Sequence, residues 1–202
     1  MIRFAAVLVS AVVLSTASVA IAGAAAPAAD PPASIPPTNA FAIACYGKKK
    51  PTAACDTEAI ANINSVHTGE GLGPITLPGN YSTLTLDQQM IAVSNAERAS
   101  RGLPAVVETA KYDRLATQGA RTSSDPNGPA GHAWGSIWAG VADPLAADYL
   151  WMYDDGPGGI NLDCVNPGDP GCWGHRHNIL GASWLTAGAG HKQASLAALF
   201  VQ

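Results

Sequence analysis

The chain is short of positive charge. Its 202 residues carry 11 Lys and Arg against 15 Asp and Glu, a net charge of −4. A nucleic-acid surface needs the opposite balance, so nucleic acid is not an expected partner. Long apolar runs are also missing after the first two dozen residues, and a membrane span takes roughly 20; no span is expected in the mature protein. Neither HExxH nor a phosphate-cradling glycine motif occurs. Ser136 sits in WGSIWAG, where its adjacent glycine breaks the G-x-S-x-G pattern of a hydrolase elbow.

What is present begins with MIRF, an apolar stretch from Phe4 to Val13 and small residues through ASVAIAGAAA. This order predicts a secretory leader over residues 1–24, with Ala20, Ala22 and Ala24 supplying A-x-A signatures. Its removal takes away Arg3 alone, leaving 10 cationic residues and a net charge of −5 over about 178 residues, enough for one core. Residues 25–40 hold prolines at 27, 31, 32, 36 and 37 and few bulky apolar side chains, and so predict a disordered or polyproline spacer. Residues 41–84 form an N-terminal extension, with a cationic loop and a short helix over DTEAIANINSV.

The four cysteines, 45, 55, 164 and 172, would lie in an oxidising compartment and permit three pairings. Close spacing favours Cys45 with Cys55 and Cys164 with Cys172. A four-thiolate zinc site is the rival, although neither pair has the spacing typical of one.

From Thr85 the pattern becomes regular. TLDQQMIAVSNAERASRGLP has helix start and stop signals in place, and AKYDRLATQGARTSS predicts a second helix. GHAWGSIWAGVA suits a strand, PLAADYLWMYDD a helix, and residues 156–174 a loop stapled by Cys164 and Cys172. TAGAG and SLAALFV predict two last strands joined by GHKQ. Helices first and strands later imply an α+β layered domain.

The candidates for chemistry centre on GHRHNIL. Two residues apart on a helix, His175 and His177 diverge by about 200°, so only one of them can enter a site. A mononuclear zinc needs at least three ligands, and the outside partners available are His132 and the acidic pair Asp154 and Asp155. A grouping of His132, Asp154 and His175 is one arrangement that spacing allows, satisfied structural histidines being the other. His67 and His191 occupy loop-like contexts that predict exposed side chains.

Taken together, NAERASRGLPAV, the AKYDRLATQGARTSS helix, His132 before an aromatic edge, WMYDD, GHRHNIL and a GAG strand resemble a bacterial CAP domain. This is the superfamily of cysteine-rich secretory proteins, antigen 5 and pathogenesis-related 1, and the resemblance covers residues 85–202. It implies an α-β-α sandwich with a central antiparallel sheet flanked by helices and a cleft at one edge. Members often hold two histidines and two acidic residues there, and some bind zinc or another divalent cation. The histidines match His132 and His175, and one acidic position matches Asp154, three residues after Trp151. Ser136 stands where the usual glutamate would be, so weak or absent metal binding is expected.

Three functions follow as expectations. The favoured one is a secreted, monomeric, non-enzymatic module whose cleft, including Ser136, Trp138 and Trp151, binds a small apolar or lipid-like ligand or a cell-envelope partner. Trp134, Tyr149 and Trp173 are further candidates for its aromatic lining. The second is a metal-assisted hydrolase of envelope or extracellular material, with His132, Asp154 and His175 activating water. The third is a structural domain presented by the spacer.

Overall fold

The computed structural model describes residues 29–202; the leader expected over residues 1–24 lies outside the described residues. Six helices are described: α1 Asn39–Cys45, α2 Ala53–Gly69, α3 Leu86–Ser100, α4 Ala110–Thr122, α5 Pro144–Tyr153 and α6 Gly174–Leu180. The strands are β1 Val107–Glu108, β2 Trp134–Ala139, β3 Thr186–His191 and β4 Leu196–Val201. Among the described residues no helix is long and apolar enough to cross a membrane.

The sheet runs β1-β3-β4-β2. β3, β4 and β2 pair antiparallel as expected, while the two-residue β1 adds a parallel edge beside β3. Strand alternation sends Ala187, Ala189, Ala198 and Phe200 into the main core and Leu199 and Val201 to the opposite face, against Tyr112 of α4. That second helix layer comes very close. A Cβ at Gly188 or Gly190 would overlap the α4 backbone at Tyr112–Asp113 and Thr117, so glycine at both positions sets the layer spacing.

On the main-core face, α5 is buried over its whole length. Its ten residues, PLAADYLWMY, are apolar nearly all round, the pattern of a helix packed on every side. Pro144 opens it, and the carboxylate of Asp143 accepts from the amides of Leu145 and Ala146. α3 starts with a capping box between Thr85 and Gln88. Near its other end, the buried Arg98 donates to the carbonyls of Pro104, Ile179 and Gly181, satisfying groups left open where α6 ends.

The helices meet in a buried polar network that sequence reading missed. His67 is not an exposed loop residue: it lies on α2 and is fully buried. The expectation failed because α2 runs past DTEAIANINSV to Gly69, bringing His67 against α3. Its Nδ1 lies 2.8 Å from the Gly73 carbonyl and its Nε2 3.0 Å from Glu97 Oε2. Burial opposes the charge on His67, but the Glu97 carboxylate and the Gly73 carbonyl outweigh it and raise the pKa. Glu97 also accepts from the Tyr153 hydroxyl and from Arg101, which pairs with Glu70; Glu70 in turn accepts from Arg176 at 2.9 Å. His191, by contrast, is exposed at the end of β3 beside Asp87.

Both expected disulfides are present, Cys45–Cys55 and Cys164–Cys172. The first joins α1 to α2. The part of the spacer that is described is docked, not free: the Ile35 amide donates to the Tyr153 carbonyl, the Tyr149 hydroxyl to the Ile35 carbonyl, and Ser34 bonds to Gly156. Backbone hydrogen bonds to the end of α5 offset an ordering cost that composition alone left uncovered.

Candidate functional site

α5 ends at the Asp154–Asp155 pair, and the two carboxylates have different surroundings. Asp155 is buried and fully engaged. Its Oδ2 accepts from the His175 amide at 2.8 Å, and its Oδ1 faces His175 Nδ1 at 2.6 Å and accepts from Asn161 Nδ2 at 2.8 Å. Asn161 donates as well to the Gly171 carbonyl, fixing the stapled loop to the end of α5. Asp154 is 2 % exposed, and its Oδ1 has no hydrogen-bond partner. Burial first, and then the charge on Asp155, push Asp154 up to about 6.

His175, at the start of α6, lies between two carboxylates. Nδ1 meets Asp155, and Nε2 faces Asp125 Oδ1 at 3.6 Å. Burial disfavours the imidazolium, but hydrogen bonds and charge from Asp125 and Asp155 outweigh it and push the group up to about 9. At neutral pH His175 is therefore a cation.

These residues border a cleft of about 660 Å³ beside the edge strand β2. Its apolar walls include Trp138, Val141, Leu150, Trp151, Ile160 and Leu162. Trp151 Nε1 donates to the Trp138 carbonyl at 2.9 Å and Trp138 Nε1 to Ser195 Oγ at 2.7 Å, locking both indoles in place. At the mouth, Ile160 and Leu162 of the stapled loop remain 57 % and 90 % exposed.

Of the residues expected in a site, Asp154, His175, Trp138 and Trp151 line this cleft. His132 and Ser136 are not among its lining residues. His132 is exposed, with Nδ1 3.3 Å from the Gln202 carbonyl. Ser136 is largely buried on β2, and its carbonyl accepts from Asn178 Nδ2 at 2.8 Å. The other aromatics also lie elsewhere: Tyr149 and Trp173 are buried beyond the lining and Trp134 is partly exposed. Among the described residues no three or more His, Cys, Asp or Glu side chains are grouped to hold a metal ion. As arranged, His132 lies outside the cleft that Asp154 and His175 line, so the three side chains are not brought together around one divalent cation.

Sequence reasoning missed Tyr46, Asp125, Asp155 and Asp163 as lining residues. Asp155 carried a signal in the acidic doublet, where Asp154 was favoured. Asp125 and Tyr46 lie far away in the chain and carried none.

No protein-family model and no curated protein matches the chain. Among solved structures it is similar to an extracellular protein containing an SCP domain from Bacillus anthracis, at 18 % identity and a TM-score of 0.44, over 64 % of this chain and 45 % of that one. It is also similar to a cysteine-rich secretory protein from Staphylococcus aureus, at 14 % identity and a TM-score of 0.40, over 56 % of this chain and 37 % of that one. The chain thus spans less than half the length of either.

Proposed function

We propose that this chain is an extracellular CAP-type binding module whose β2-edge cleft takes a small ligand with an apolar body. The cleft itself carries the reading: about 660 Å³ lies within the range of small-molecule sites, roughly 300 to 1,000 Å³. It is walled by two fixed indoles and aliphatic side chains, with Ile160 and Leu162 left in water at the entrance. Large apolar side chains exposed beside a concave apolar wall favour association with an apolar group. Among the described residues no serine, threonine, cysteine or lysine lines the cleft, and a lining without these usual nucleophiles of acyl transfer supports binding over covalent catalysis. The two disulfides support an extracellular location.

The test has two parts. Solvent extraction of the purified protein, followed by mass spectrometry, is expected to release an apolar compound in stoichiometric amount. Trp138→Ala should lower the yield severalfold. Repeated preparations that yield nothing, together with lipid titrations that show no saturable binding, would overturn the proposal.

A further inference from the structure

The polar side of the cleft has a marked chemical bias. Among the described residues four carboxylates line it, Asp125, Asp154, Asp155 and Asp163, against one cation, His175, with neither lysine nor arginine. With all of them charged, the lining carries three net negative charges. The His175 cation is already matched by Asp155 at 2.6 Å and turns its other nitrogen toward Asp125.

The side-chain donors are mostly consumed within the protein. Trp138 Nε1 goes to Ser195, Trp151 Nε1 to the Trp138 carbonyl, and the Asn161 amide to Asp155 and the Gly171 carbonyl. Tyr46 supplies the one hydroxyl among the lining side chains. An anionic headgroup entering this cleft would meet carboxylates and few free donors.

Asp154 adds an independent observation. It lines the cleft and is 2 % exposed; its Oδ1 is buried without a donor beside Gly159, so a ligand would meet the other carboxylate oxygen. A carboxylate this deeply buried is poorly solvated, and a ligand N–H at its accessible oxygen offsets that cost. The nearby faces of Trp138, Trp151 and Tyr46 are favourable to a cation but not to an anion.

We infer that the ligand of this cleft is a primary organic ammonium with an apolar body, its ammonium hydrogen-bonded to Asp154 and its apolar part lying along Trp138, Trp151, Ile160 and Leu162. This assignment rests on the binding-module reading above and narrows it to one chemical class. Fatty acids and other anionic amphiphiles are disfavoured.

The test uses three probes of equal chain length, octylammonium chloride, octan-1-ol and sodium octanoate. Each is titrated into the purified full chain at neutral pH, with tryptophan fluorescence and calorimetry as readouts. Octylammonium is expected to bind about tenfold or more tighter than octanol, as a charge-assisted hydrogen bond warrants, and octanoate to bind weakest. Raising salt from about 0.02 to 0.5 M should narrow the gap between octylammonium and octanol.

Asp154→Asn should lower the octylammonium-to-octanol affinity ratio about tenfold. The exposed Asp163→Asn, which leaves the core untouched, should lower it about twofold through lost surface charge. Octanol binding as tightly as octylammonium, octanoate binding tightest, or a ratio unmoved in both variants overturns the ammonium assignment while the apolar cleft stands. Failure of all three probes to bind overturns both.

Discussion

Replacing His175 by glutamine removes a cation held between Asp155 and Asp125, and the structure determines how the loss should depend on pH. The imidazole of His175 is 23 % exposed, Asp155 is buried, and Asp125 is 49 % exposed. A rise from 6.5 to about 9 corresponds to about 3 kcal/mol, at about 1.4 kcal/mol per unit. The share belonging to Asp125 is screened by water, which leaves about 2 kcal/mol. Because the folded value lies above the unfolded one, this stabilisation is fully present below pH 6.5 and is lost as pH rises through about 9. Urea unfolding of the wild type and His175→Gln at about pH 6 and pH 10 measures it, since other titrating groups cancel between the two proteins. The variant should be about 2 kcal/mol less stable at the lower pH and close to the wild type at the higher one. Parallel stability profiles, or a His175 NMR resonance titrating at its ordinary 6.5, would refute the reasoning.

Three more outcomes follow from the packing. Glu97→Gln takes the charge from the centre of the His67, Arg101 and Tyr153 network, and breaking a buried ion pair of this kind should cost about 3 to 5 kcal/mol in chemical denaturation. Gly188→Ala drives a methyl into the α4 backbone, so its melting midpoint should fall by an amount equivalent to about 1 to 3 kcal/mol. Converting Cys164 and Cys172 together to serine opens the loop that carries Ile160 and Leu162; the loss of loop closure should cost about 2 to 3 kcal/mol. Limited proteolysis should then cut between residues 156 and 173, where the wild type resists.

The layered fold was legible because its signals are local. The start and stop signals around α3 and the short runs TAGAG and SLAALFV of β3 and β4 act within a few residues of chain. Close cysteine spacing likewise anticipated both disulfides. The site was read only in part. WMYDD and GHRHNIL pointed to Asp154 and His175, yet they could not show which carboxylate of the doublet turns toward the imidazole. That is decided by Asn161, from outside both motifs, together with the His175 amide at the start of α6. His67 was misread because its partner Glu97 lies 30 residues away, and a buried charged pair leaves no periodic trace. The docking of residues 34 and 35 was hidden for a similar reason: backbone hydrogen bonds hold the segment, and composition does not encode them.

The cleft between β2, the end of α5 and the stapled loop is expected to hold an apolar ligand. Two-dimensional NMR of the full chain during an octanol titration tests it most directly. The indole signals of Trp138 and Trp151 and the methyl signals of Ile160 and Leu162 should shift together along one saturable curve, while those of Trp134 and Trp184 stay in place. Shifts confined to other tryptophans, or no saturable change at any of these four residues, would contradict it.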